Sequence, residues 1–254
     1  MIINNDKKFT QFFTKLETPR KVDFIVLHHV EAVSVQHAIS QFEEHQVSAH
    51  FLIDENGEIF CLVDENNIAY HAGISFWRGS VALNKNSIGI EFINSAPFEK
   101  EFTMAQMQAA VSLCHYLIEK YNIAAQNIVG HSDIAFLSDT GLLDRKQDPS
   151  HLFNWKFLAQ NGIGIFPEIS LPANEDKILF SLKNKAPAIM QIKKSLAKFG
   201  YQVLNLNDEF DQEMQALARV FNRRFNQSTF NKDANSWHLS SHLILDELQK
   251  YCAN

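Results

Sequence analysis

The chain is 254 residues long, which is enough for one large core or for a catalytic domain with a small appendage. Its 46% hydrophobic and 20% charged residues are typical of an ordinary globular protein, and its formal net charge of -6 disfavours nucleic-acid binding, which normally requires a basic surface. The sequence contains no run of about 20 apolar residues, which excludes a transmembrane helix.

The N-terminal segment and the cysteines do not determine the cellular compartment of the protein. Residues 1–20 are polar and lack the apolar centre of a signal peptide. Three alternatives stay open: the cytoplasm, the periplasm or cell envelope reached by another export route, and a chain that begins after cleavage. Cys61, Cys114 and Cys252 form no close metal-binding pair and cannot all be joined within one chain. Disulfides are therefore not expected to stabilise the fold.

The first predicted elements are a strand, a helix and a hairpin. Residues 22–27 are apolar on both faces and rich in β-branched and aromatic side chains, which predicts a central strand with His28 at its C-terminal end. Ser34 is a good N-cap for a helix with an apolar stripe. Asn56-Gly57 lies between two apolar runs, which is the strongest short-range signal for a hairpin.

An alternating strand and a long helix follow. In residues 86–93 the large apolar side chains point to one face, whereas Gly89 and Glu91 point to the other. Thr103 and Gln106 form a capping box that begins the helix. The predicted buried face of this helix comprises Met104, Met107, Val111, Cys114, Ile118 and Tyr121.

The end of the first domain and the C-terminal region complete the predicted organisation. A strand over residues 127–129 leads into His131, and strands separated by crossover helices predict an α/β fold for residues 1–166. Three prolines and weak periodicity favour a linker over residues 167–187. Apolar residues at helical spacing in residues 188–254 predict a small all-α module. Its helices are predicted at 189–199, 211–225 and 237–251.

Two histidines and one aspartate form a candidate metal site. His28 and His131 both follow strands, whose ends meet at one edge of an α/β sheet. With Asp148 as a third ligand, the fourth tetrahedral position stays open for water, as catalytic zinc requires. The alternative is that these are structural histidines among eleven in the chain, and the long separations form no local motif that decides between the two.

Two charged residues are candidates for catalysis. Glu91 points from an otherwise apolar strand and is a candidate general base, although a solvated strand face explains it equally well. Lys146 precedes Asp148 by two residues and is a candidate for stabilising an oxyanion, although a lone lysine is ordinarily a surface residue.

Six ordered sequence blocks resemble one family. They are Phe24-Ile-Val-Leu-His28-His29, Ser48-Ala-His50-Phe-Leu-Ile-Asp54, Tyr70-His-Ala-Gly73, Asn86-Ser-Ile-Gly-Ile-Glu91, Val129-Gly-His-Ser-Asp-Ile-Ala135 and Arg145-Lys-Gln-Asp-Pro149. Together they resemble the zinc N-acetylmuramoyl-L-alanine amidases of the AmpD and AmiD type, which are related to phage lysozyme-amidases and to animal peptidoglycan recognition proteins. Six blocks in order are more specific than any single motif. The resemblance implies a mixed central sheet flanked by helices.

The resemblance also implies the roles of the main site residues. It makes His28, His131 and Asp148 the ligands of one Zn²⁺ per chain. It makes Glu91 and Lys146 the catalytic pair, with Glu91 moving protons and Lys146 stabilising the oxyanion.

The remaining histidines of these blocks receive lesser roles. His29 is interpreted as structural support beside the first ligand. His50 and His71 are interpreted as groove-lining residues that contact the substrate, or as structural residues. His151 is the substitute ligand if Asp148 does not bind the metal.

The C-terminal region is similar to the small helical peptidoglycan-binding module appended to AmiD-type enzymes. The similar stretches are Leu196-Ala-Lys-Phe-Gly-Tyr201 and Ala218-Arg-Val-Phe-Asn-Arg-Arg-Phe225. Phe221 and Phe225 equally fit a plain helix core, and both interpretations can hold. Asn222 stands where the module usually has glutamine, which puts binding by the module in question.

Three positions depart from the family pattern. Residues 136–144 form an apparent insertion, and Ser150 replaces the glycine that usually follows Asp-Pro. Ala49 replaces the tyrosine that phage amidases and catalytic recognition proteins have before the histidine equivalent to His50. The last departure favours the branch of the family in which Glu91 transfers the proton.

The expected function is hydrolysis of the amide bond between N-acetylmuramic acid, ordinary or 1,6-anhydro, and L-alanine in peptidoglycan or muropeptides. The alternative is a non-catalytic peptidoglycan-recognition protein, which typically lacks the third metal ligand. The sequence does not indicate the oligomeric state.

Overall fold

The computed structural model describes residues 2–4, 11–172 and 174–252. The chain divides into two compact units, each built from three segments of sequence. The first unit consists of Met1–Gly73, Ala82–His131 and Asp148–Ile165, and the second of Ile74–Val81, Ser132–Gln147 and Phe166–Asn254. Within the described ranges, no helix combines the length and hydropathy that crossing a bilayer requires.

A six-stranded mixed sheet is the centre of the first unit. In spatial order its strands are Ile3–Asn4, Ile59–Cys61, Phe51–Ile53, Ser87–Ile93, Phe24–Val30 and Ile128–Gly130. The second and third strands are antiparallel and are joined by the hairpin predicted from Asn56-Gly57. The other pairings of this sheet are parallel. The predicted α/β fold with a mixed central sheet is therefore confirmed.

The two central strands place charged and metal-binding side chains on one face. The strand Phe24–Val30 runs further than predicted, so His28 lies inside it rather than just beyond it. It pairs in parallel with Ser87–Ile93, and the register sets His28 opposite Glu91. Because side chains of directly paired residues point to the same face of a sheet, these two side chains are neighbours.

Local capping signals begin the helices of the first unit as predicted. The Ser34 hydroxyl caps the helix Val35–Glu44. Thr103 and Gln106 form a complete capping box at the start of Met104–Tyr121. A capping side chain satisfies a backbone N–H that has no partner within the helix, which is why these short signals fix the helix start. The shorter elements of this unit include the strand pair Phe13–Thr14 and Ile68–Ala69, the 3-10 helices Leu83–Lys85 and Ala125–Asn127, and the helix Trp155–Gln160.

The long helix buries a face that differs from the predicted one. Met104 is 53% exposed, so its predicted burial is wrong. The buried positions are Gln106, Met107, Ala110, Leu113, Cys114 and Leu117. The rotation has a physical cause, because the Gln106 amide donates hydrogen bonds to the carbonyls of Ile53 and Ile93 and turns that side of the helix toward the sheet. A polar residue therefore lies in a stripe that a purely apolar pattern does not identify.

Helices dominate the second unit. They are Pro187–Phe199, Gln212–Phe225, Gln227–Asp233, Leu239–Leu248, the 3-10 helix Gln249–Cys252 and the short helix His131–Ile134, whose residues after His131 belong to this unit. Strand pairs are Phe76–Trp77 with Ser80–Val81 and Ile178–Phe180 with Trp237–His238. The strand Ile178–Phe180 lies inside the predicted linker. The predicted boundaries at 166 and 188 stay predictions, and residues 253–254 of the predicted module lie outside the described ranges.

Aromatic side chains form the core of the second unit. The ring centroids of Trp77 and Tyr201 are 4.9 Å apart, and those of Phe221 and Trp237 are 5.0 Å apart. Phe221 and Phe225 are 0% and 2% exposed, so both side chains belong to the helix core. The geometry supports the structural interpretation of these two phenylalanines.

Arginines of the helix Gln212–Phe225 bind the apparent insertion within the same unit. The Asp144 carboxylate accepts hydrogen bonds from Arg223 at 2.9 and 3.0 Å and from Arg219 at 3.1 Å. Arg224 forms an ion pair with Asp133. The insertion at 136–144 is thus fixed by charge-assisted hydrogen bonds from a helix that lies far away in sequence.

Candidate metal centre

Three side chains with potential metal-binding atoms converge in the first unit: His28, His131 and Asp148. One ligand atom from each lies within 4.8 Å of the other two. The Oδ2 atom of Asp148 is 3.1 Å from Nδ1 of His28 and 3.0 Å from Nδ1 of His131. The two histidines are only 1% and 5% exposed. The structure thus brings together the three residues that the family resemblance implies as zinc ligands.

The sheet register explains why two histidines so distant in sequence meet. The last strand of the sheet lies parallel to the central one and pairs Gly130 with Leu27. The residues that follow this pair are His28 and His131. Both side chains therefore lie side by side toward the carboxyl ends of parallel strands, His28 within its strand and His131 just after its own, which is where α/β folds usually place their sites.

Asp148 provides the negative charge of the group. Burial raises the pKa of its carboxyl group, but the charges and hydrogen bonds of His131 and His28 outweigh burial and hold that pKa well below its ordinary value. The carboxylate is consequently ionised at neutral pH, the state in which it binds a metal ion.

In each of the two histidines, Nε2 faces a group of the protein other than Asp148. Nε2 of His28 is 3.0 Å from Nδ1 of His71. Nε2 of His131 is 3.3 Å from the carbonyl oxygen of Ala72. In both histidines, Nδ1 is therefore the nitrogen that faces Asp148.

Glu91 lies beside this group on the neighbouring strand. Its Oε1 atom is 3.9 Å from Nδ1 of His28, and its side chain is 12% exposed. On the opposite face of the same strand, Ile90 and Phe92 are completely buried, as the alternating pattern predicts. A carboxylate in this position is within reach of a water molecule that binds next to the three converging residues.

Other residues implicated by the sequence lie outside the converging group. Lys146 is exposed and belongs to the second unit, and its catalytic role stays a prediction. The ring of His29 packs against Phe98 and Phe102 at centroid distances of 5.3 and 6.3 Å. His151 is half-buried and, like His29, is not part of the one cluster of possible ligands that the described residues form.

The two histidines predicted to line the groove lie in the protein interior. Nδ1 of His50 accepts a hydrogen bond from the Gly89 N–H at 3.0 Å, and its Nε2 lies 2.8 Å from the Arg20 guanidinium and 3.2 Å from the Asn67 carbonyl oxygen. Burial, followed by the charge of Arg20, lowers the pKa of His50 to about 3. Burial is also the main reason why the pKa of His71 is well below its ordinary value. Contact of either ring with substrate stays a prediction.

Sequence reasoning did not identify the residues that fix these histidines. The Arg20 guanidinium donates hydrogen bonds to four backbone carbonyls around them. The Oδ1 atom of Asn84 accepts hydrogen bonds from the N–H groups of His71 at 3.0 Å and Ala72 at 2.7 Å. Ser87 contacts His71 directly. Small polar residues of this kind carry no periodic signal, so no pattern in the sequence predicts these partners.

The donor set matches what a catalytic zinc ion requires. Two imidazole nitrogens and one carboxylate oxygen are a known three-ligand set for catalytic Zn²⁺, which keeps its fourth position for water or substrate. A site of nitrogen and carboxylate donors with so few oxygens is less suitable for Mg²⁺ or Ca²⁺, which prefer six or more oxygen ligands. The three residues therefore fit zinc.

Comparison with known proteins gives a consistent result. A family model described as "N-acetylmuramoyl-L-alanine amidase" matches residues 18–151. The amidase AmiD of Escherichia coli K12 is 33% identical over 238 residues, which are 85% of this chain and 79% of that protein. The 1,6-anhydro-N-acetylmuramyl-L-alanine amidase AmpD of the same strain is 39% identical over 110 residues, which are 43% of this chain and 55% of AmpD.

Solved structures are similar over nearly the whole chain. Escherichia coli AmiD in complex with the substrate anhydro-N-acetylmuramic acid-L-Ala-D-γ-Glu-L-Lys has a TM-score of 0.74 at 28% identity, covering 95% of this chain and 94% of the other. AmpDh3 from Pseudomonas aeruginosa in complex with an anhydromuramic pentapeptide has a TM-score of 0.71 at 25% identity, covering 94% and 95%.

Proposed function

Because this chain belongs to the N-acetylmuramoyl-L-alanine amidase family, we propose that it hydrolyses muropeptides in a zinc-dependent reaction at His28, His131 and Asp148. The family assignment makes the chain an enzyme, an N-acetylmuramoyl-L-alanine amidase, and decides against the non-catalytic recognition protein. The proposal goes further than the family assignment in three respects: the metal, the residues that act in catalysis and the form of the substrate.

A single observation supports the metal site most strongly. Two imidazole nitrogens and one ionised carboxylate oxygen, from three separate parts of the chain, lie within 4.8 Å of one another. Buried charges in proteins are paired or coordinate a metal ion, and this set of donor atoms is one that a zinc ion can bind. When bound there, Zn²⁺ polarises the amide carbonyl and makes a water molecule more acidic.

Glu91 is the group that moves the proton in this proposal. Its carboxylate accepts a proton from the attacking water while the water oxygen bonds to the carbonyl carbon of the amide. The carboxylic acid then returns the proton to the L-alanine nitrogen as the carbon–nitrogen bond breaks. The products are the muramic acid carboxylate and the protonated amine of the free peptide, because the remaining proton of the water passes to the amine at neutral pH. The position of Glu91, 3.9 Å from His28, supports this role.

Lys146 stabilises the negative oxygen of the tetrahedral intermediate in the same proposal. An ammonium group directed at a developing oxyanion contributes more in the transition state than in the ground state, and therefore raises the rate.

The substrate class follows from the relatives. Two similar structures were solved with anhydromuramyl peptides, and one similar protein is named as a 1,6-anhydro-N-acetylmuramyl-L-alanine amidase. These names support 1,6-anhydro-muropeptides as substrates and a role in cell-wall turnover or recycling. The proposal also includes ordinary N-acetylmuramic acid, because the family and AmiD carry the general name N-acetylmuramoyl-L-alanine amidase.

The decisive experiment measures zinc content and peptide release together. We expect about one Zn²⁺ per purified chain, release of the stem peptide from an anhydromuramyl tripeptide, loss of release after chelation, and recovery after zinc is added back. His28→Ala, His131→Ala and Asp148→Ala should each abolish stoichiometric zinc and activity. The matched control is His29→Ala, which removes the adjacent imidazole outside the cluster and should retain zinc.

Two results would contradict the proposal. Full activity of chelated, zinc-free protein would rule out the metal. Full zinc occupancy in Asp148→Ala would show that the third ligand is a residue other than Asp148, and His151 would be tested next.

A further inference from the structure

The helix Gln212–Phe225 of the second unit is buried along nearly its whole circumference. All of its residues are buried except Gln212, Gln215 and Arg219. These three residues are spaced three and four apart, so they lie on one face of the helix. All three line the same cavity, which has a volume of about 330 Å³. The helix therefore meets solvent along the face that lines this cavity.

The apparent insertion provides the other wall of the cavity, through residues 141–143. The Ser138 hydroxyl oxygen accepts hydrogen bonds from the N–H groups of Thr140 at 3.2 Å and Leu142 at 2.8 Å. Gly141 has a φ of +84°, a conformation that glycine adopts without steric cost. The wall is thus fixed by its own hydrogen bonds. A ligand does not have to order it on binding, which reduces the entropic cost of binding.

Polar groups in the cavity are available to a ligand. The side-chain amides of Gln212 and Gln215 form no hydrogen bond with any other residue that the structure describes. Arg219 donates from Nε to Asp144 and from Nη1 to Asn235, which leaves Nη2 to donate to a ligand.

The charge of this region favours an anionic ligand. Among the described residues that line the cavity, Arg219 is the charged one. Its partner Asp144 also binds Arg223 through both carboxylate oxygens. One carboxylate is therefore shared by two guanidinium groups, and one positive charge stays in excess. Guanidinium and amide N–H groups are donors that bind a carboxylate, and the hydrogen bonds from the guanidinium are charge-assisted.

We propose that this cavity is a second ligand site, which binds a short peptide through a carboxylate. Its volume is near the lower end of the range for ligand pockets, about 300–1,000 Å³, and suits one or two amino-acid residues. The inference rests on the proposed function for its ligand, because a stem peptide such as L-Ala-D-γ-Glu-L-Lys carries carboxylates on its D-γ-glutamate and at its C-terminus. None of the lining residues belongs to the candidate metal centre, so binding at the cavity requires no metal ion. Binding there retains the enzyme on cell wall that carries stem peptides.

The test titrates the full chain with the peptide L-Ala-D-γ-Glu-L-Lys. NMR follows the side-chain amide signals of Gln212 and Gln215, which are assigned from the signals that disappear in Gln212→Ala and Gln215→Ala. Both signals should shift and reach saturation. The same peptide with its carboxylates replaced by carboxamides should cause no saturable shift. This comparison changes only the ligand, so it does not depend on the folding of a variant.

Substitutions in the cavity measure the contribution of each donor. Gln215→Ala removes a hydrogen bond to a charged group and should raise the Kd of the peptide by about tenfold. Arg219→Gln should raise the Kd further and make it less dependent on salt concentration, because it removes the charge that salt screens. Gln191→Ala is the matched control, since it removes an exposed glutamine from another helix of the same unit and should leave the Kd unchanged.

The outcomes separate this site from the proposed function. If the Gln212 and Gln215 signals do not shift, or if Gln215→Ala binds the peptide as tightly as the unsubstituted protein, the second site is refuted. Peptide release from a soluble muropeptide is measured on the same preparations, and Gln215→Ala should retain the unsubstituted rate. If the unsubstituted protein binds the peptide at the cavity but hydrolyses no muropeptide, the proposed function fails and the second site stands.

Discussion

Substitution of Gly89 by alanine tests the packing beneath the metal site. The new Cβ would lie 2.5–2.7 Å from three ring atoms of His71, whereas a comfortable carbon contact is about 3.5–4.0 Å. The ring must therefore retreat by about 1 Å, which stretches its 3.0 and 3.1 Å hydrogen bonds to His28 and Ser87 beyond useful length.

The expected change in stability has a definite sign. Overpacking of this kind costs about 1–3 kcal/mol. Replacing a strand glycine ordinarily recovers about 0.5–1 kcal/mol of backbone entropy, which is the smaller effect. We expect Gly89→Ala to lower the free energy of unfolding by roughly 1–2 kcal/mol.

Urea unfolding of the zinc-free protein measures this change, and His71→Ala provides the control background. Without the imidazole there is no collision, so Gly89→Ala added to His71→Ala should be neutral or stabilising. The two substitutions should thus show a coupling energy of about 1–3 kcal/mol. An equal penalty in both backgrounds, or none in either, would refute the close approach of His71 to this strand.

Three further predictions address catalysis, pH and the second unit. Glu91→Gln should retain zinc and lower kcat by about 10²–10⁴-fold, with substrate affinity changed far less; turnover within a few-fold of the unsubstituted enzyme would transfer the role to another residue. The pKa of His50 falls to about 3 in the folded protein, so an unfolded chain binds a proton that the folded chain does not between pH 6.5 and 3. The free energy of unfolding should therefore decrease as pH falls through this range, by up to about 1.4 kcal/mol per pH unit for this group. When it is measured at pH 7, 6 and 5, the free energy of unfolding of His50→Gln should depend less steeply on pH than that of the unsubstituted protein. Asp144→Asn leaves the 4% exposed Arg223 without its ion pair and should cost about 3 kcal/mol in chemical denaturation, whereas Glu247→Gln, which disrupts the exposed pair with Lys250, should cost less than about 1 kcal/mol.

Local signals in the sequence predicted the elements of the first unit well. Ser34, the Thr103–Gln106 box and Asn56-Gly57 are interactions within a few residues, and each occurs where it was predicted. The family resemblance supplied what spacing did not, because His28 and His131 become neighbours only through the pairing of Gly130 with Leu27. A sheet register is a long-range property that no window of sequence contains.

Predictions failed or fell short where a polar side chain acts over a long distance. Met104 was predicted to be buried, but Gln106 turns the helix because its amide bonds to two strands. His71 was interpreted as groove-lining or structural, and the side chains that its ring contacts by hydrogen bonding are Ser87 and His28. Hydrophobic periodicity carries no information about such contacts, since it describes only which face of an element is apolar.

The three-segment construction of the second unit also determines the order in which it can fold during synthesis. Trp77 is completely buried against Phe199 and Tyr201, which leave the ribosome more than a hundred residues later. At about 5–20 residues per second, this delay is on the order of ten seconds. Throughout that interval the indole of every nascent chain lacks its final aromatic partners and is available to chaperones. Translation speed between these two points is therefore a property that selection can act on, independently of the stability of the finished protein.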